Sequence, residues 1–251
     1  MAISRTIYTV GTVKVNGTEL FAQSASFSEA KPKESISAFG RTSVQRVSSG
    51  PETTTFEVTF YPTGGEGGLL QGLMTDTAAQ TPTRCSVVSN IGTLAEALLM
   101  SIKGDASIGS VPTVTASFLG LASGNAADAV PSSAAITTIR TTEQVSINGA
   151  GCAQKASFSW DMPVEPITCL GRSIASGAEF FGNPPGTASI NAEGTTSPGA
   201  VTTLDIGNFT FTLGSGSSVS SSTVNLAVGQ MHGTFNTVTE GIAINSTIAD
   251  S

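Results

Sequence analysis

The segment AQSASFSEAKPKESISAFGR, from Ala22 to Arg41, returns 131 residues later as AQKASFSWDMPVEPITCLGR, from Ala153 to Arg172. Eleven of the twenty positions are identical without a gap, among them Phe27 with Phe158, Pro32 with Pro163, Glu34 with Glu165, Gly40 with Gly171 and Arg41 with Arg172. Upstream, Val15-Asn16-Gly17 matches Ile147-Asn148-Gly149; downstream, the alternating Phe56, Val58 and Phe60 face Ala188, Ile190 and Ala192. Identity at this level marks a tandem duplication, and so long a period repeats a whole domain rather than a solenoid unit. The expected organisation is a first domain over residues 1–125, a linker over 126–142 and a second domain over 143–251. The linker lies in the small, polar, Pro-containing stretch from Ala122 to Thr142.

Within each copy the periodicity is that of strands. Thr12–Val15, Gln23–Ser28, Thr54–Phe60 and Val111–Leu119 alternate apolar with polar residues. Phe56, Val58 and Phe60 are expected on one face, with Thr55, Glu57 and Thr59 on the other. Asn16-Gly17 and Asn148-Gly149 are tight-turn signals, because a type I′ turn needs positive φ at both central positions. One helix is expected over Gly68–Ala79, with Leu69, Leu70, Leu73 and Met74 along a stripe. Thr93–Ile102 reads equally as a short helix or a buried strand, and Gly214–Ser222, GSGSSVSSS, reads as a flexible loop. Charged residues are only 12% of the chain, whereas Ser plus Thr make up roughly a quarter, which disfavours a helical bundle.

Eleven Lys plus Arg against eighteen Asp plus Glu give a net charge of −7. No cluster of positive charge suits tight binding to a phosphate backbone. After Arg172 there is no Lys or Arg, and Glu179, Glu193, Asp205, Glu240 and Asp250 stand unopposed. This is either an ordinary solvated acidic face or a surface kept repulsive toward a polyanion. The amino-terminal MAISRTIYTVG carries no hydrophobic run suited to secretion, and no apolar stretch of ~20 residues occurs, so synthesis and folding in the cytoplasm are expected. Cys85, Cys152 and Cys169 form no CxxC pair, and buried free thiols are expected rather than a metal site or a disulfide framework.

Nothing in the chain points to catalysis. His232 is the single histidine and lies in GQMHGTF without a supporting motif; P-loop and EF-hand signatures are absent. Glu29 and Glu34 are near in sequence, but Trp160 stands at the place of Glu29 in the second copy, so ion pairing or exposure is expected. No catalytic, cofactor-binding or metal-binding residue is assigned. The duplicated Glu34, Gly40, Arg41, Glu165, Gly171 and Arg172 are candidates for assembly contacts. Arg41 and Arg172 fit equivalent polar contacts between neighbouring domains or between rings, or an intradomain salt bridge at a strand end. Gly40 and Gly171 fit a turn needing positive φ.

SRTIYTVGTVKVNGT followed by SASFSEAKPKESISAFGR resembles the opening of the tail tube (major tail) proteins of long-tailed bacteriophages. ASFSWDMPVEPITCLGR with FFGNPPGTASINAEG is similar to the second half of those members that carry two fused tube domains. The likeness is strongest over residues 1–61 and 145–194. It implies a mainly β chain of two β-sandwich or half-barrel domains, each with about one short helix, closing into a barrel on oligomerisation. Each domain would give four strands, and homotrimeric rings of pseudo-sixfold symmetry would stack into a helical tube, the conduit for DNA ejection. Twenty-four strands at ~4.8 Å give a perimeter of about 115 Å and a diameter of roughly 37 Å, rising to about 48 Å at ~40° tilt, enough for a DNA duplex. The resemblance further implies a virion protein, assembled in the host cytoplasm, that meets tail terminator, distal tail or baseplate and tape measure proteins. It implies no cofactor and no membrane, and a bore that passes double-stranded DNA without sticking. The competing class is a secreted or surface β-sandwich adhesin or carbohydrate-binding protein. Trp160 and two tyrosines are a thin aromatic supply for stacking on sugars.

Overall fold

The computed structural model describes residues 12–37, 39–50, 52–74, 83–121, 145–148, 152–170, 175, 177–180, 185–195, 197–206, 209–242 and 247–250. Within them the protein is mainly β. The strands before residue 122 are β1 (Val13–Val15), β2 (Thr18–Leu20), β3 (Ala22–Ala30), β4 (Lys33–Ile36), β5 (Gln45–Ser48) and β6 (Thr53–Phe60), then β7 (Arg84–Val88), β8 (Thr93–Ser107) and β9 (Thr113–Gly120). Helix α1 (Glu66–Leu73) lies between β6 and β7. From residue 145 on come β10 (Val145–Ile147), β11 (Cys152–Asp161), β12 (Val164–Ile167), β13 (Gly177–Phe180) and β14 (Thr187–Gly194). They are followed by β15 (Thr203–Ile206), β16 (Phe209–Thr212), β17 (Ser218–Asn225), β18 (Gly233–Glu240) and β19 (Thr247–Asp250).

Eight strands hydrogen-bond side by side in the order β3-β6-β9-β8-β11-β14-β18-β17, every neighbouring pair antiparallel. The two quartets in this run repeat each other. In each, the first strand pairs with the second across a projecting hairpin, β4–β5 in one and β12–β13 in the other. The pairing slips at the same place: between Ala22 and Ser24 in β3, and between Ala153 and Lys155 in β11. A second slip, between Leu99 and Ser101 in β8, has its counterpart between Val219 and Ser221 in β17. Bulges reset both register and twist, so their recurrence ties the quartets together more tightly than strand count does.

One face of this sheet is apolar and covered. Phe56, Val58 and Phe60 are fully buried, as the alternation requires, and Phe118, Ile102, Phe158, Trp160 and Ile190 continue the layer. Over the first quartet lies the branch β8-β7-β1-β2, which leaves the sheet along the amino-terminal half of β8. Over the second lies a separate sheet, β10-β15-β16-β19. Its Phe211 stacks on Phe158 with ring centroids 4.3 Å apart and planes 8° from parallel. Helix α1 packs on β19 and β16 and also touches β2, so it bridges the two covering layers.

Several expectations change against this frame. The helix starts at Glu66 rather than Gly68, because the Glu66 carboxylate accepts hydrogen bonds from Gly64 N–H (2.8 Å), Thr63 N–H (3.3 Å) and the Thr63 hydroxyl. It ends at Leu73, where Met74 turns extended (ψ 151°); most of the remaining expected stretch lies outside the described residues. It is the one helix among the described residues, and no described residue of the second copy is helical. Thr93–Ile102 is strand, the start of β8. Gly214–Ser222 is not a loop: after the turn at Ser215-Gly216 the chain enters β17, whose Ser and Thr hid the strand from a hydropathy reading. Cys85 is buried, but Cys152 and Cys169 are exposed, contrary to the expectation for all three thiols. Asn16 and Gly17 take φ of 48° and 81°, as the turn signal requires. Gly149, Gly171, Arg172, the linker 126–142 and residues 1–11 lie outside the described residues. No helix among the described residues is long and apolar enough to cross a membrane.

Candidate functional site

The uncovered face of the eight-stranded sheet is built almost wholly from small polar side chains. Across it run Ser26, Glu57, Ser117, Ser101 and Asp161 in one cross-strand row. A second row holds Thr59, Thr115, Lys103, Ser159, Thr187 and Glu240. Five carboxylates (Glu57, Asp105, Asp161, Glu193, Glu240) against Lys103 and Lys155 leave a net −3 on this face. Both lysines are neutralised where the quartets join: Lys155 Nζ lies 2.9 Å from Asp105 Oδ2, and Lys103 Nζ 3.5 Å from Asp161 Oδ1. Glu57 accepts a hydrogen bond from the Ser117 hydroxyl (3.2 Å). No aromatic side chain stands on this face among the described residues, since Phe27, Phe56, Phe118, Phe158, Trp160 and Phe235 all belong to the covered side.

The two outer strands are open. Among the described residues β3 pairs only with β6 and β17 only with β18. Every residue of β17 is exposed. Neither β3 nor β17 carries a proline or a lysine, the usual devices that keep an edge from recruiting another strand.

The sheet also has two unlike rims. β3 and β11 both run toward their hairpins, so β4–β5 and β12–β13 project from one rim. The turns after β8 and β17 lie at the other, because β8 runs antiparallel to β11 and β18 to β14. Phe39 and Leu170 are fully exposed on the hairpin rim, as is Val228 on the turn rim, where Met231 is nearly so. His232 is exposed in the latter turn.

The duplicated candidates fall on the hairpin rim. Glu34 stands opposite Val47 in the first hairpin and Glu165 opposite Glu179 in the second, both exposed. Gly40 takes φ 82°, the left-handed conformation that glycine tolerates, at the tip of the first hairpin. Arg41 follows it, exposed, and no ion pair among the described residues includes it. Glu29 is ion-paired to Lys31 at 3.0 Å, as expected, and Lys31 also reaches Glu52 at 3.3 Å. Hydrogen bonding within this cluster and the Lys31 charge hold the Glu29 carboxyl below its ordinary range, while its carboxylate neighbour raises that of Glu52. Sequence reasoning missed the β17 edge and its Val224 and Leu226, both exposed. The available signal was the quartet repeat carried past residue 194. No group of His, Cys, Asp and Glu among the described residues could hold a metal ion. No protein-family model matches the chain, and no curated protein is similar to it.

Proposed function

We propose that this chain is the building block of a hollow tube of the phage tail tube type, two fused tube domains per chain and three chains per ring. The observation that carries the reading is the join between the quartets. There the last strand of one, β8, pairs with the first strand of the next, β11, so that two repeats share one sheet. The edge strands β3 and β17 are the same two positions, each with no outer neighbour among the described residues. Three chains joined as the quartets are joined give a closed cylinder of 24 strands, with a circumference of roughly 115 Å before tilt.

The faces fit that arrangement. The covered side forms the outer wall, and the Ser, Thr and Asn face with its net −3 lines the bore. A neutral to acidic lining lets a duplex slide, because it releases no counterions and gains no phosphate contacts. Unlike rims favour head-to-tail stacking, which extends without limit, and the hairpins with Glu34, Arg41 and Glu165 are the contacts assigned to it. Assembly in the host cytoplasm into the virion, and meetings with terminator, baseplate and tape measure proteins at the tube ends, follow from this reading. Electron microscopy of the purified chain tests it: hollow rings or stacked tubes are expected. A monodisperse monomer that binds glycans would replace it with the adhesin reading.

A further inference from the structure

Resting on the tube reading, we infer that the strand β17 of one chain takes β3 of a second copy in one defined register, with Phe27 opposite the partner's Val224, and that this seam is chemically unlike the seam inside the chain. The register follows from the internal join, where Phe158 stands opposite Gly104, Ser157 opposite Asp105 and Ser159 opposite Lys103. The shared bulges fix which residues correspond: Phe27 to Phe158, and Val224 to Gly104. Transferring the pairing places Ser26 opposite Asn225 and Ser28 opposite Thr223.

Three observations at the open edges agree with this register. Phe158 is 2% exposed at the internal seam, whereas Phe27 is only partly buried, as it must be with one neighbouring strand missing. Phe158 lies against Gly104, where a Cβ would collide with its ring, but Phe27 lies against Gly92 of its own chain. The place opposite Phe27 is therefore free for a side chain, and Val224 is the residue that arrives there. Val224 and Leu226 are 55% and 71% exposed, and this register turns both toward the covered layer.

The difference between the seams lies on the polar face. Inside the chain two lysine–aspartate pairs cross the join. At the equivalent outer positions stand Ser24, Ala30, Thr223 and Asn225, none of them charged. The seam between chains therefore carries no cross-strand ion pair, unlike the seam within the chain.

Cysteine cross-linking tests the register in a Cys152→Ser, Cys169→Ser background. Residues directly opposite in an antiparallel pair have Cα atoms ~4.5–5.5 Å apart, within disulfide range, and a two-residue offset moves them beyond it. Mild oxidation of assembled Ser26→Cys/Asn225→Cys protein is expected to give a covalent ladder of dimers and trimers, while Ser26→Cys/Thr223→Cys stays at the monomer position. Rings that cross-link through the offset pair, or through neither, overturn the register and leave the tube reading intact. Failure of the unmodified chain to oligomerise at all removes both.

Discussion

The ring of Phe158 lies directly against Gly104 on the neighbouring strand, so close that a Cβ at residue 104 would fall within the ring's van der Waals surface. Strand β8 is paired on both sides here, to β9 and to β11, and has little freedom to retreat. Phe158 is also stacked on Phe211. Gly104→Val is therefore expected to cost about 1–3 kcal/mol of stability, the usual range for overpacking a well-filled core. The measurement is the midpoint of denaturant unfolding at unchanged slope. An unaltered midpoint would mean that the quartets are not rigidly joined at this seam.

The ion pairs beside that contact behave differently. Lys155, Asp105, Lys103 and Asp161 are each about half exposed, so water screens them. Lys155→Ala and Lys103→Ala are each expected to change unfolding stability by less than ~1 kcal/mol. Their effect is expected in assembly fidelity instead, as more irregular particles in micrographs of the double variant.

The acidic face supplies a prediction about DNA. Glu57, Glu193 and Glu240 are exposed and, among the described residues, have no cationic partner. Replacing each with lysine adds two positive charges per site and takes the face from −3 to +3. Tubes of the triple variant should still form but retain double-stranded DNA at low salt, with affinity falling steeply as salt rises. Filter binding across a salt series reads this directly; DNA retention equal to that of the parent contradicts the assignment of this face to the bore.

In the proposed tube, the rims would separate ring formation from stacking. Phe39→Ser with Leu170→Ser removes two fully exposed apolar tips of the hairpin rim without touching the sheet. Single rings are expected in place of long tubes, and sedimentation distinguishes them. Tubes of normal length would place the stacking contact elsewhere.

The thiols give a direct check of burial. Desolvation pushes the Cys85 thiol up to about 12, so its reactive thiolate is scarce at neutral pH. Cys152 and Cys169 are exposed. A maleimide is expected to modify two thiols per native chain and the third only after denaturant is added, with mass spectrometry giving the count. Rapid labelling of Cys85 in the native chain would place β7 outside the core.

How much of this was legible depends on how each segment is stabilised. Phe56, Val58 and Phe60 alternate with polar residues because one face of β6 is covered, so both strand and face were readable. The hairpin rim was marked by identity between the copies, which reached from Ala22 to Arg41. β17 was not readable: its Ser and Thr side chains meet solvent on both faces, and backbone pairing to β18 with a few serine hydrogen bonds holds it rather than apolar burial. The long strand β8 corresponds to β16 and β17 together, split by the turn at Ser215-Gly216, and so the copies looked divergent there. Glu66 gave no signal either, since its role depends on a turn at Gly64 and Gly65, with φ 100° and 97°, that hydropathy does not report.

The rotational symmetry of assembled particles, read by cryo-microscopy, is the most direct test of the account. Three copies around the axis, each contributing eight consecutive strands and joined β17 to β3, is the predicted result. Six copies per ring, or an open sheet whose β3 and β17 stay unpaired, would contradict it.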